Sequence, residues 1–227
     1  MPNYHEAIAG QQSPPRIGRL RQLFDERATT ETRGHVDSVV RKLAAAGAHI
    51  EDVKVPTDFD ALLAAHRVIM SVEAAAVHEA NYADRPDDYS PKLRALIEEG
   101  ILTPAVVYVR AQRVRRDFRE HMSEAIRPFD VVLGPSTPSP APRDLSTTGD
   151  PVFQSPWTTC GFPEITLPSG LSEAGLPLGI QLVSAPFAEA KLLAAAYWCE
   201  RVLDVRLAPP TASGVSPIQA SVQGGVI

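Results

Sequence analysis

Cysteine and histidine are the side chains from which this 227-residue sequence could build a nucleophilic centre, and it holds two of the first and six of the second. Cys160 precedes Gly161 in a Thr-Thr-Cys-Gly-Phe-Pro stretch, a place where a thiol could be presented on a turn. A small residue packed beside a glycine accounts for the same letters. Cys199 shares a helical stripe with Leu192, Ala195 and Val202 and reads as core. His66 and Glu73 stand seven residues apart on another stripe, as an acid–base pair or as a buried polar contact. No His-x-x-x-His, paired-cysteine or dense carboxylate pattern has metal-ligand spacing. There is no phosphate-binding loop, dinucleotide fingerprint or Gly-x-Ser-x-Gly elbow, so no metal or cofactor is expected. Arg110, Arg113, Arg115, Arg116 and Arg119 cluster on one segment, but interleaved Asp117 and Glu120 make it a solvated helix face.

The elements that would position these groups alternate in type. Arg16 to Leu20 reads as a strand. Thr30 can cap a helix carrying Val36, Val39, Val40 and Leu43, and Ala48 to Val55 reads as a second strand. Strand, helix, strand predicts a parallel pair with a right-handed crossover. A long stripe from Asp58 through Val77, a short helix at Leu93 to Gly100, and a helix opened by Thr103-Pro104 follow. Phe129 to Gly134 is a buried strand, and behind it Pro135 to Pro142 is too proline-rich for helix or central strand. Glu164 to Pro168 and Leu178 to Val183 predict a hairpin, and a last helix begins near Ala188. Residues 1–15 read as an irregular lead-in, 16–207 as one α/β domain, and 208–227 as a disordered tail. A net charge of −5, 44% hydrophobic residues and no apolar run near 18 residues predict a cytoplasmic globular protein. Neither nucleic acid nor a membrane is an expected partner.

Three ordered segments of the C-terminal third resemble the amidase signature enzymes. They are Phe129-Asp-Val-Val-Leu-Gly-Pro-Ser-Thr-Pro, then Thr159-Cys-Gly-Phe-Pro-Glu-Ile-Thr-Leu-Pro-Ser-Gly-Leu, then Gly175-Leu-Pro-Leu-Gly-Ile-Gln-Leu-Val. The resemblance implies a mixed sheet flanked by helices, the C-terminal part of that fold, and a hydrolase acting on carbon–nitrogen amide bonds. It implies catalysis by a Ser, cis-Ser, Lys triad in a Gly/Ser-rich signature, and this sequence has no such run. Its four lysines, Lys42, Lys54, Lys92 and Lys191, lie in helical or strand settings, so no catalytic residue carries over and the chain alone is expected to be inactive. What carries over is the substrate pocket: Thr137 after the buried strand, and Trp157, Thr158 and Thr159 before the Gly-Phe-Pro turn. Gln181 is read as a structural hydrogen-bonder. The implied partners are a small-molecule amide, an N-terminal amidase half, or a second copy. The alternative is a non-catalytic subunit or amide-binding module that joins a separately encoded half.

Overall fold

A computed structural model describes residues 3–10, 13–55 and 58–208. The tail expected from residue 208 thus lies outside the described residues except at its first position. The strands are β1 (Arg16–Leu20), β2 (His49–Val53), β3 (Val131–Pro135), β4 (Glu164–Leu171) and β5 (Pro177–Val183). The helices are α1 (Tyr4–Gly10), α2 (Phe24–Arg27), α3 (Thr30–Ala45), α4 (Phe59–Asp84), α5 (Pro91–Leu102), α6 (Ala105–Ile126), α7 (Ser155–Cys160) and α8 (Glu189–Leu203).

The five strands form one mixed sheet in the order β2-β1-β3-β5-β4. β1 pairs in parallel with β2 and β3, whereas β5 runs antiparallel to both β3 and β4. The βαβ unit and the hairpin therefore form as their local patterns dictate. Alternating residues feed two cores. Ile17, Val131, Leu133, Ile180 and Leu182 pack with α3 and α8 on one face. Leu20, Val132 and Val183 pack with α2, α4, α6 and α7 on the other. Gly18 lets the layers close, because a Cβ there would meet Val53 at 2.3 Å.

α4 is 26 residues long, and its most apolar 18-residue window has a mean hydropathy of 1.2. Length and composition alone would let such a helix cross a bilayer. Its buried positions Phe59, Leu62, Ala65 and Ile69 share one side, Ser71 and Ala75 lie on a second side against Gly100 of α5, and the helix packs against α5, α6 and α7.

The structure departs from the sequence expectations at several ends. Tyr4–Gly10, expected to be irregular, is helical and packs on α8. Thr29, not Thr30, caps α3: its extended backbone lets Oγ1 accept from the Thr32 amide at 3.2 Å. Thr103 does not cap α6, because its hydroxyl donates back to the Glu99 carbonyl at 2.7 Å; Pro104 takes the cap position. Pro135, assigned to the loop, is the last residue of central β3, a strand end where its missing N–H does no harm. β4 runs on past Pro168 to Leu171 through a bulge between Pro168 and Gly170, which is tolerated because β4 is an edge strand.

Candidate functional site

In a sheet with parallel strands, ligands settle beyond the carboxyl ends where the strand order reverses, here between β1 and β3. That crevice is lined by Leu20, Phe24, Ala28, Val36 and Pro135 with Arg19, Asp25 and Arg33, and its free volume is about 10 Å³. Such a space holds about one water molecule. Phe24 fills it: the ring lies against Gly134, where a Cβ would sit 3.1 Å away, and meets Phe153 edge-on at 4.6 Å. The charges are already engaged. Arg19 pairs with Asp37, Asp25 with Arg21 at 2.6 Å, and Arg33 donates to the Asp25 carbonyl at 2.6 Å.

The proline-rich loop beyond β3 is held to the body by backbone and amide bonds. The Thr29 amide donates to the Pro138 carbonyl at 2.8 Å, and Gln154 Nε2 donates to the Ser136 carbonyl. Ser136 Oγ donates to Thr166 Oγ1 at 3.3 Å across the sheet. Gln181, 1% exposed, donates through Nε2 to the Phe153 carbonyl at 3.1 Å. It is the structural hydrogen-bonder expected, although its Oε1 is buried without a partner among the described residues. Together these bonds fix the entry to α7 over the sheet. Gly161, left-handed at φ 67°, ends that one-and-a-half-turn helix.

Of the four sequence-predicted residues, three follow one another on α7, and the helical turn sends them in different directions. Trp157 is 1% exposed and packs in the core, edge-on to Phe162 at 6.1 Å. Its indole N–H is buried without a partner among the described residues. Thr158 is exposed. Thr159 Oγ1 lies 2.6 Å from His66 Nδ1 on α4 and 2.6 Å from the Ser155 carbonyl. A carbonyl can only accept, so the hydroxyl proton goes to Ser155 and His66 donates from Nδ1, leaving Nε2 as its acceptor. Burial lowers the His66 pKa, which favours that neutral ring. Thr137, the fourth residue, is exposed and donates to the Ser139 carbonyl within its own loop at 2.8 Å.

Other candidates resolve plainly. His66 pairs with Thr159 and not with Glu73, which instead accepts from the Tyr108 hydroxyl at 3.2 Å. Burial pushes the Cys160 thiol up to about 12, with Arg115 and Arg119 nearby only partly offsetting it, so a reactive thiolate is not formed there. Cys199 is fully buried in the α8 core. Lys42 caps α8 through the Leu203 carbonyl at 2.7 Å, and Lys191 holds the Phe129 carbonyl at 2.9 Å and Asp130 at 3.0 Å. Among the described residues no lysine hydrogen bonds a serine hydroxyl, and no group of three or more His, Cys, Asp and Glu is placed to hold a metal.

Comparison with known proteins agrees on one family. The profile of the family described as Amidase matches residues 1–193. The chain is 28% identical over 236 aligned positions to the A-type chain of glutamyl-tRNA(Gln) amidotransferase from Geotalea daltonii, covering 90% of this chain and 48% of that protein. It is 30% identical to AtzE, the 1-carboxybiuret hydrolase component of Pseudomonas sp. strain ADP, covering 86% and 44%. A crystal structure of an amidase superposes with a TM-score of 0.76 at 26% identity, over 84% of this chain and 46% of that one. The chain thus spans about half the length of the curated relatives it matches.

Proposed function

The chain belongs to the amidase family, and from that premise we propose that it forms the substrate-pocket half of a cytoplasmic amide hydrolase, the nucleophile, relay and base coming from an amino-terminal half. The observation that supports this reading is the disagreement between scaffold and chemistry. The segment that borders the pocket in the resembled enzymes is firmly held, by Gln154 on Ser136, Gln181 on Phe153 and His66 on Thr159. Yet the lysines with hydrogen bonds serve as carbonyl caps, and the crevice beyond β1 and β3 is closed by Phe24. In this reading Thr158, which is exposed, offers its hydroxyl to an amide, and Thr137, whose proton goes to the Ser139 carbonyl, offers its oxygen as an acceptor. Trp157 supports the wall from beneath, and Thr159 holds α7 against α4 because its hydroxyl is already committed.

Exposed apolar residues fit a half that is covered in the working enzyme. Val77 is 75% exposed, Leu102 80% and Phe187 90%. The second reading, a non-catalytic subunit or amide-binding module that pairs with a separately encoded half, draws on the same exposure. A serine-directed fluorophosphonate probe tests the proposal: the purified 227-residue chain stays unlabelled, and stoichiometric labelling overturns it. Co-expression with the adjacent reading frame separates the two readings, since restored amide hydrolysis supports the split enzyme and association without hydrolysis supports the binding module.

A further inference from the structure

A groove of about 320 Å³ opens where β4 begins. Glu164 pairs with Val183, which in turn lies opposite Val132 at the start of β3. The groove is therefore at the amino ends of the parallel strands, the end of the sheet away from the Phe24 crevice. Its walls are Pro163, Ile165, Leu192 and Leu193, and Tyr4 of α1 adds to the lining. Two carboxylates, Glu164 and Glu189, are the charged groups in this apolar lining.

Glu164 has no hydrogen bond or ion pair through its carboxylate among the described residues, although it is half-buried. The cation on the same stretch of α8, Lys191, is committed to Asp130 and the Phe129 carbonyl. A carboxylate held beside apolar walls without a counter-charge loses solvation and gains nothing in return. Burial accordingly raises the Glu164 carboxyl to about 7.

The charge decides what fits. A carboxylate ligand would face two like charges. A second copy presenting the same groove would bring four carboxylates together, so self-pairing through this face is opposed. A neutral apolar ligand would leave Glu164 as it is. An ammonium group makes a charge-assisted hydrogen bond to Glu164 and finds a second acceptor in Glu189. We propose that this groove binds a small organic cation, a primary ammonium on a short apolar chain, with Glu164 as its counter-ion and the chain laid along Ile165, Leu192 and Leu193. The inference stands apart from the hydrolase reading, since it involves none of the residues assigned to the substrate pocket.

The test is a titration of the isotopically labelled 227-residue chain with hexylammonium chloride at about pH 8, where Glu164 is ionised, followed by amide NMR. The expected result is a saturable change confined to Glu164–Thr166 and Glu189–Leu193, with hexanoate causing none and hexanol a weaker one. Glu164→Gln removes the charge at constant shape and weakens hexylammonium binding about tenfold or more, with Glu189→Gln causing a smaller loss. Undiminished peak dispersion in the variant shows that the fold is intact. Equal binding of hexylammonium and hexanol, unchanged affinity in Glu164→Gln, or no saturable change at all overturns the proposal.

Discussion

Gly100 of α5 sits where α4 and α5 touch, and replacing it with alanine sets two known effects against each other. A Cβ there would lie 2.0 Å from the Ser71 carbonyl oxygen, 2.5 Å from its carbon and 2.7 Å from Ala75 Cβ. Real Cβ contacts do not fall below 3.0 Å, so the helices must part by 1.0 Å or more, and the obstacle is backbone that cannot rotate away. The flanking residues Ser71 and Ile97 are both fully buried, so separation opens voids as well. Overpacking of this kind costs about 1–3 kcal/mol, and a rigid backbone obstacle belongs at the upper end of that range. Against it, alanine is favoured over glycine inside a helix by about 1 kcal/mol. The net expectation is a loss of about 1–2 kcal/mol, or a fall in Tm of roughly 3–6 °C for a chain of this size. Gly34, exposed in α3 with nothing within 4 Å of its added Cβ, provides the control. The same substitution there keeps the helical gain without the clash and stabilises by about 0.5–1 kcal/mol. Urea unfolding followed by circular dichroism reads both variants. A Gly100→Ala midpoint at or above that of the parent chain, with the slope unchanged, refutes the packing argument.

Glu164 makes the fold pH-sensitive: its folded pKa of about 7 lies above the ordinary 4.5, so the stability it confers is complete below 4.5 and lost as pH rises towards 7. The full difference corresponds to about 3.4 kcal/mol at 1.36 kcal/mol per pH unit, which solvent contact at this half-exposed side chain reduces to about 1–2. Glu164→Gln is thus expected to stabilise the chain at about pH 8 and to be neutral at about pH 4; a gain independent of pH in urea midpoints contradicts this. His66 has the opposite sense, because burial lowers its pKa below the ordinary 6.5 and its stability is lost as pH falls below that value. Thr159→Val leaves the His66 donor unpaired and costs about 1–2 kcal/mol near neutral pH, read by the same unfolding assay; no loss removes the Thr159–His66 bond from the account. Cys160 and Cys199, both pushed up to about 12, should react with a thiol reagent only after unfolding, and rapid modification of the native chain contradicts the burial argument.

The sequence by itself determined the alternation of elements and the family. The stripe from Val36 to Leu43, the apolar run at Val131 to Leu133 and the turn at Ser172 to Gly175 are local patterns, and the helix, buried strand and hairpin formed where they lie. The family segments are also contiguous strings, which need no geometry to be read. Short helices such as α2 and α7 escaped this reading because four or six residues do not complete two turns, so no periodicity shows. The tertiary structure alone decided the rest. His66 meets Thr159 across 93 residues, and Phe24 closes the crevice by reaching Gly134 and Phe153. Glu164 becomes a perturbed acid only because Pro163, Ile165 and the leucines of α8 surround it. Periodicity depends on spacing along the chain, whereas burial and pairing depend on which distant atoms the folded layers bring to the same point in space.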